Sequence, residues 1–440
     1  MAQATMYFPK DFLWGTATSA VQVEGNNRNS DWWAWEEQAG RILNGDRSGL
    51  ACNWWENAEA DLDRAAEMGT NAHRLSLEWS RIEPEPSVFD EAALDRYREI
   101  LQAMRQRGID PMVTLHHFSN PVWLVEKGDF NSDIITDYFQ RYTAKVVASL
   151  GDLTSKWVTI NEPMVYIFSR YLDGVFPAPR QMGFGPAMQA LRQMLGCHAA
   201  AYHTIKAAYP QALVGIVKNI PILAARGRNP LVKWWAGRAH WLFNELWMDC
   251  MTSGRLRWPA GRGVVKYLAG SFDFVGINYY TRFYVKFPPI GGFYHKEWGP
   301  DAQVSDGDYG EVYPAGLYQV IHAATRYKKP IYITENGLPD ADDDLRPSFL
   351  LRHLREIWRA ISFNFPVMGY YHWSLVDNFE WDRGWTQRFG LYEMDPQTQA
   401  RRIRPSGRLY TEICHSGSIS SQMAAAYAPE LLATMFPGGA

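Results

Sequence analysis

Eight short apolar runs recur along the chain, and most of them are followed by a stretch with helical periodicity. The β-branched run IYIT, for example, is of the kind that lies buried in a parallel sheet. We predict a strand in each run. The runs are FLWGTATSA (12–20), AHRLSLEW (from Ala72), PMVTLHHF (from Pro111), WVTINEP (from Trp157), LVGIVKN (from Leu213), FDFVGINYY (from Phe272), IYITENG (from Ile331) and VMGYYHWSL (from Val367).

Amphipathic stretches lie between these runs, with apolar residues at helical spacing and charges on the opposite face. Examples are WENAEADLDRAAEMG (55–69), DEAALDRYREILQAMRQRG (90–108) and FLLRHLREIWRAI (349–361). Eight alternations of strand and helix predict an α/β fold, a single (β/α)₈ TIM barrel forming one catalytic domain over residues 1–440. Two Rossmann-like domains are the rival, but no G-x-G-x-x-G follows a strand. Residues 415–440 form a C-terminal extension beyond the last expected helix, and the sequence assigns it no role.

Composition limits the classes of protein that fit. The chain has 440 residues, 47% hydrophobic and 21% charged, which predicts a globular protein with a large core. A formal charge of −3 provides no global basic surface, so we expect neither nucleic acid nor membrane as a partner. The N-terminus MAQATMYFPKDF lacks the features of a secretory signal, and we expect a cytoplasmic protein. Four scattered cysteines, predicted to pack as small hydrophobes, indicate neither a disulfide framework nor a zinc site: Cys52, Cys197, Cys250 and Cys414.

Polar residues close many of the apolar runs. In a barrel of this kind the active site lies at the carboxyl ends of the strands, so these side chains should gather around one pocket. A single acidic residue at a strand end more often forms a structural salt bridge or caps a helix. Here there are two, because Glu162 and Glu335 would face each other across the pocket. Two carboxyl groups with arginine, tyrosine, amides and tryptophan nearby are typical of glycoside hydrolysis. The residues at the run ends are Gln22, Arg74, His117, Asn161, Glu162, Asn278, Tyr280, Glu335 and Trp373.

Six segments resemble the motifs of glycoside hydrolase family 1, the β-glucosidase and β-galactosidase family, and occur in the family's order. They are FLWGTATSAVQVEG, RLSLEWSRIEP, TINEP, INYYT, YITENG and HWSLVDNFEW. The resemblance runs from about residue 7 to about residue 414. It implies a barrel and a retaining mechanism without cofactor or metal. By the same resemblance, Glu162 in TINEP is the general acid/base and Glu335 in ITENG is the nucleophile.

The resemblance also implies a site for the sugar ring. Positions matching Gln22, His117, Asn161 and Glu380 bind sugar hydroxyls, Trp373 stacks beneath the ring, and Asn278, Tyr280 and Trp381 line the same subsite. Arg74 and Tyr280 support the nucleophile. Without the resemblance, His117 alone would be interpreted as a structural histidine. Trp373 and Trp381 would be interpreted as core residues or as sugar-stacking residues with equal weight. His116 should point to the other side of its strand, away from His117.

We therefore expect a β-glucosidase-like hydrolase of terminal β-D-glucosides, and also of β-D-galactosides and β-D-fucosides, with a small β-glycoside or oligosaccharide as its partner. Glu380 would repel a phosphate, which argues against a 6-phospho-glycosidase. A transglycosylase using the same site is the alternative, and a binding protein without catalysis is disfavoured by the two glutamates.

The leaving group, the oligomeric state and the roles of two loop segments are less well defined by the sequence. The leaving group and a homo-oligomeric state are not predicted by any motif. The Gly-, Pro- and aromatic-rich segment FPPIGGFYHKEWGPDAQVSDGDYG is predicted to form a loop over the pocket mouth. The run DADDD (340–344) is predicted to be a solvated loop, with calcium binding as a second interpretation that lacks the EF-hand pattern.

Overall fold

Eight parallel strands close into a barrel in the computed structural model, which describes residues 4–288, 298–299 and 301–437 and the backbone of Tyr294 and His295. Each strand pairs with the next one along the chain, and the last pairs with the first. Each predicted run forms one strand, so the predicted (β/α)₈ barrel is confirmed. The strands are β1 (Leu13–Ala17), β2 (Ala72–Ser76), β3 (Asp110–His116), β4 (Lys156–Asn161), β5 (Leu213–Asn219), β6 (Phe274–Asn278), β7 (Ile331–Asn336) and β8 (Val367–His372).

A main helix follows each strand. The predicted helices at 55–69, 90–108 and 349–361 match α1, α2 and α7, and every end agrees to within about three residues. The helices are α1 (Trp54–Glu67), α2 (Glu91–Gln106), α3 (Ile135–Leu150), α4 (Phe184–Ala208), α5 (Pro230–His240, a π-helical turn Trp241–Glu245 and Leu246–Ser253), α6 (Pro314–Ala324), α7 (Arg346–Ser362) and α8 (Pro405–Ser416).

Shorter elements fill the connections and the termini. The short helices are Ala20–Val23, Asp31–Glu36, Trp79–Ile82, Val122–Glu126, Pro163–Ile167, the π-helical Phe168–Asp173, Ser421–Tyr427 and Leu432–Met435. Single 3₁₀ turns occur at Leu43–Gly45, Asp129–Asn131, Asp306–Asp308, Thr325–Tyr327, Trp381–Arg383 and Pro429–Leu431. Additional strands are Thr5–Tyr7, Ile222–Ala225, Arg282–Val285, Tyr294–His295, Tyr392–Met394, Arg401–Ile403 and Ser418–Ser420.

Side chains of the strands fill the barrel interior. A Cβ atom at Gly15 would lie 2.7 Å from the Tyr371 ring and 2.8 Å from the Ala72 carbonyl, so only glycine allows that ring to pack there. The interior is therefore a packed core below the site, not a channel. The interior cluster contains Ala17, Ala72, Met112, Val158, Val217, Phe274, Tyr332 and Tyr371.

The C-terminal extension, to which the sequence assigned no role, is part of the core. Ser418–Ser420 pairs antiparallel with Thr5–Tyr7, and Ile419, Met423 and Phe436 are buried. The extension thereby holds the N-terminal segment against the barrel. The four cysteines are also buried, as predicted.

The prediction of a solvated DADDD loop is wrong for two of its residues. Asp340 and Asp343 are only 1% and 6% exposed, because Asp343 pairs with Arg346 and Asp340 accepts hydrogen bonds from backbone N–H groups at the start of α7. Asp342 and Asp344 are exposed, as expected. One carboxylate oxygen each from Asp340, Asp342 and Asp344 lies within 4.8 Å of the others, and the calcium interpretation stays a prediction.

Two further expectations are only partly open to comparison. Residues 289–293, 296–297 and 300 of the segment FPPIGGFYHKEWGPDAQVSDGDYG lie outside the described residues. Within the described part of the chain, no helix combines the length and the apolar character needed to cross a membrane.

Candidate active site

Glu335 ends β7 with both of its carboxylate oxygens engaged. Its Oε1 accepts a hydrogen bond from Arg74 Nη2, and its Oε2 accepts one from the Tyr280 hydroxyl. The arginine is fully buried and Glu335 is 4% exposed, so the pair is shielded from water. A guanidinium and a hydroxyl that donate to the same carboxylate favour its ionised form.

Glu162 follows β4 and lies in a different environment. Its backbone N–H donates to the carbonyl of Val217 (2.8 Å), and Asn278 Nδ2 donates to its Oε1 (2.6 Å). Burial is the largest influence on this carboxyl group and raises the pKa of Glu162 to about 7. The hydrogen bond from Asn278 and the charges of Arg74 and Lys218 oppose that rise. Glu162 is therefore partly protonated at neutral pH, whereas Glu335 is paired with a cation.

The backbone at Glu162 is strained. Its φ of 42° and ψ of 58° lie in the left-handed region, which side chains other than glycine rarely adopt. The conformation lets the chain turn from β4 directly into the short helix Pro163–Ile167. Such outliers cluster at sites where the surrounding structure holds a side chain in a required position.

Amide side chains connect the two carboxyl groups. Asn161 Oδ1 accepts from Arg74 Nη1 (3.0 Å) and lies 3.4 Å from Asn278 Nδ2. Asn278 Oδ1 in turn accepts from Thr334 (2.8 Å). These contacts fix which end of each amide faces the pocket, so that Asn278 presents a donor to Glu162.

Aromatic rings form one wall of the site. The His117 ring stacks with Trp373 (6.2 Å between centroids) and with Trp381 (5.9 Å), and Phe118 packs at the edge of Trp381 (5.3 Å). His117 is within hydrogen-bonding distance of Asn161 Nδ2 (3.0 Å). Burial holds the pKa of His117 well below its usual value, so the ring is neutral.

His116 faces away from this wall, as predicted from strand alternation. Its ring packs against Phe130 (5.1 Å) and Tyr166 (5.3 Å), and its Nε2 lies 3.2 Å from Asn120 Oδ1. His116 and His117 therefore do not share one site.

Gln22 and Glu380 complete the site at the loops after β1 and β8. Gln22 Nε2 donates to Glu380 Oε2 (2.9 Å) and to the carbonyl of Phe379 (2.9 Å), and Ser19 Oγ donates to Gln22 Oε1 (2.7 Å). Burial is the main cause that raises the pKa of Glu380 to about 8. The structure thus brings together every predicted site residue at the carboxyl end of the barrel.

Two site residues were missed by the sequence reasoning. The Asn219 side chain interacts with Glu162 and lowers its pKa. Asn219 is the polar end of the run LVGIVKN, so the signal that identified the other residues was present there too. The Tyr309 ring packs 5.9 Å from the Tyr280 ring. Tyr309 lies in the aromatic-rich segment that was predicted to cover the pocket mouth, but no motif distinguishes it from the other aromatic residues there.

A barrel with two buried carboxyl groups, one paired with an arginine and one with a raised pKa, beside amides and aromatic rings at the strand ends, defines the protein as a glycoside hydrolase. The chain belongs to glycosyl hydrolase family 1, whose family model matches residues 4–418.

Relatives agree with this assignment over nearly the whole chain. The chain is 31% identical to a β-galactosidase of Sulfolobus acidocaldarius, across 94% of this chain and 96% of the relative. It is 30% identical to β-glucosidase A of Thermotoga maritima, across 94% and 98%. Among solved structures, a β-glycosidase from Pyrococcus horikoshii superposes with a TM-score of 0.89 at 37% identity, covering 96% of this chain and 98% of that one.

Proposed function

We propose that the protein is a retaining β-glycosidase that hydrolyses terminal non-reducing β-D-glucosides, and also β-D-galactosides and β-D-fucosides, through a covalent glycosyl-enzyme. One observation carries the proposal: Glu335 is held by Arg74 and Tyr280, while burial raises the pKa of Glu162 to about 7. A nucleophile must be ionised and a general acid must be protonated, and the two environments match these two roles.

In the first step, Glu335 attacks the anomeric carbon and Glu162 gives its proton to the departing glycosidic oxygen. The bond from Glu335 to the sugar forms as the bond to the leaving group breaks. Arg74 and Tyr280 orient the attacking carboxylate, because each donates to one of its two oxygens. The leaving group departs as an alcohol.

In the second step, Glu162 acts as the base. Ester formation removes the negative charge of Glu335, so Arg74 is left without its anionic partner and favours the ionised form of Glu162. Glu162 then takes a proton from water, the water oxygen attacks the anomeric carbon, and Glu335 is released. Two inversions give overall retention.

The sugar ring is proposed to lie against the wall of His117, Trp373 and Trp381. Apolar ring faces stack on aromatic side chains, while hydroxyl groups need buried polar partners. Gln22 and Glu380 supply such partners at the remote end of the ring. A bridging donor and acceptor pair of this kind can reach a 4-hydroxyl group in either the equatorial or the axial position.

Relatives support this breadth of substrate. Those similar to this chain are named β-glucosidases and β-galactosidases. The structures that superpose on it include the Thermotoga maritima β-glucosidase in complex with galacto-hydroximolactam and with glucoimidazole, at 28% and 29% identity. The same β-glucosidase thus binds one inhibitor named for the galacto configuration and one named for glucose.

The test is a panel of aryl β-glycosides assayed for release of the aryl alcohol. The panel contains the glucoside, galactoside, fucoside, mannoside and 6-phospho-glucoside, and NMR records the configuration of the first-formed sugar. We expect turnover of the first three with β-sugar as the initial product. An α-sugar would contradict the retaining mechanism. Products with a new glycosidic bond in dilute buffer would identify a transglycosylase instead.

A further inference from the structure

Lys218 is a buried lysine on the strand that contacts the candidate acid. It is the sixth residue of β5 and is 1% exposed. Val217, before it, belongs to the cluster inside the barrel, so strand alternation places the Lys218 side chain on the outer face of the barrel. The backbone of the same strand contacts the acid, because the Glu162 N–H donates to the Val217 carbonyl (2.8 Å).

Lys218 has an unusual set of contacts for a buried lysine. Its Nζ donates to the carbonyl of Phe243 (3.0 Å), within the π-helical turn Trp241–Glu245 of α5. Among the residues that the structure describes, no carboxylate lies within ion-pair distance of this ammonium group. A buried charge without an ion pair costs stability, and buried groups with perturbed pKa values cluster at functional sites.

We propose that Lys218 is a positioning residue for the reaction: its ammonium group acts through β5 on Glu162 and favours the carboxylate form in which Glu162 activates water. The inference rests on the proposed role of Glu162 as acid and base. Asn219, the next residue, interacts directly with Glu162, so consecutive residues of β5 act on this group from both faces of the barrel wall.

Lys218 exchanges between its charged and neutral forms near neutral pH. Burial lowers the pKa of Lys218 to about 7, while the charges of Glu162 and Glu245 oppose that fall. The side chain lines a cavity of about 180 Å³ on the outer side of β5. Other charged or titratable groups around the lysine are His240, Glu245, Arg326 and Tyr327. Those around Glu162 are Arg74, Tyr280, Tyr309, Glu335 and Glu380.

The test compares the pH dependence of kcat/KM in Lys218→Gln and in the wild-type enzyme. Glutamine keeps an N–H donor on a side chain one atom shorter than lysine and carries no charge. We expect the alkaline limb, which reports Glu162, to move upward by about 0.5 to 1 pH unit. The acid limb, which reports Glu335, should stay in place. Lys218→Arg keeps the charge and should retain the wild-type alkaline limb.

Lys156→Met is the matched control, because Lys156 begins the strand that leads to Glu162 but pairs with Asp110 at the opposite end of the barrel. It should leave both limbs unchanged. An unchanged alkaline limb in Lys218→Gln, or an equal shift of both limbs, would overturn the inference. If Lys218→Gln does not fold, Lys218→Met provides the same neutral comparison.

Glu162→Gln separates this inference from the proposed function. If its residual activity on an activated aryl glycoside loses the alkaline limb, Glu162 is the acid and the Lys218 variants decide the present inference. If the limb persists in Glu162→Gln, the proposed role of Glu162 is wrong and the inference falls with it.

Discussion

Gln22 Nε2 donates a 2.9 Å hydrogen bond to Glu380 Oε2, joining the short helix after the first barrel strand to the loop after the last. The two residues are 358 positions apart in the chain, so closure of the barrel brings them together. Gln22 offers donors and Glu380 offers acceptors at one end of the aromatic wall. Their contact has consequences for both stability and substrate choice.

The first prediction concerns stability at alkaline pH. The folded-state pKa of Glu380 is raised to about 8 from 4.5, mainly by burial. Its contribution to folding is therefore fully present below pH 4.5 and is lost as the pH rises through 8. Glu380→Gln mimics the neutral form, so the variant should gain on the order of a few kcal/mol over wild type at pH 9, and little at pH 4.5.

Thermal unfolding at several pH values measures this difference. Glu59→Gln is a control of opposite sign, since hydrogen bonds from Arg96 lower the pKa of Glu59. That variant should lose stability near neutral pH and lose nothing at acid pH. A gap between Glu380→Gln and wild type that stays constant with pH would contradict the prediction.

The second prediction tests the nucleophile. Glu335→Gly should lower kcat at least about 10³-fold, because no covalent intermediate can form. Azide or formate should restore activity by occupying the space of the lost carboxylate beside Arg74, and should yield an α-configured product. The product is identified by NMR. Glu335→Gln keeps that space filled and should be inactive without rescue, and a β-configured product from the rescued glycine variant would exclude Glu335 as nucleophile.

The third prediction tests the acid. Dinitrophenyl glycosides have leaving groups that need little protonation, whereas alkyl glycosides depend on it. Glu162→Ala should therefore slow formation of the glycosyl-enzyme from alkyl glycosides by about 10²-fold or more relative to dinitrophenyl glycosides. Pre-steady-state and steady-state rates with both substrates provide the measurement.

Glu78→Gln is the control for the third prediction. Burial also raises the pKa of Glu78 to about 7, but its carboxylate accepts hydrogen bonds from Ser80 and Ser119. Its loss should affect both kinds of substrate equally. Equal losses in Glu162→Ala would show that this glutamate is not the proton donor.

Sequence reasoning succeeded where one local pattern was sufficient. Each barrel strand is a compact apolar run, and polar residues at the run ends lie at one pocket because the strands are parallel. Asn219 follows the same rule and was overlooked.

The burial of Asp343 could not be predicted, because its partners Arg346 and Ser406 come from two separate helices. The position of Lys218 behind Glu162 likewise depends on the register between β4 and β5, which no local pattern specifies.

The last prediction concerns specificity at the remote end of the sugar. Glu380 accepts from Gln22 and, in the proposed complex, from sugar hydroxyl groups, so a phosphate placed there would meet a buried carboxyl group where it needs a cation. Glu380→Ser should lower kcat/KM for the plain glucoside by an amount equivalent to about 1 to 3 kcal/mol, since buried hydroxyls lose a hydrogen-bonding partner. It should also raise the ratio of 6-phospho-glucoside to glucoside turnover, because the unfavourable contact with the phosphate is removed. Rates on the two aryl glycosides measure that ratio, and Asp382→Ser, which removes a neighbouring carboxylate, is the control that should leave it near the wild-type value. A wild-type enzyme that prefers the phosphorylated glycoside, or a Glu380→Ser ratio that does not move, would place Glu380 away from the sugar.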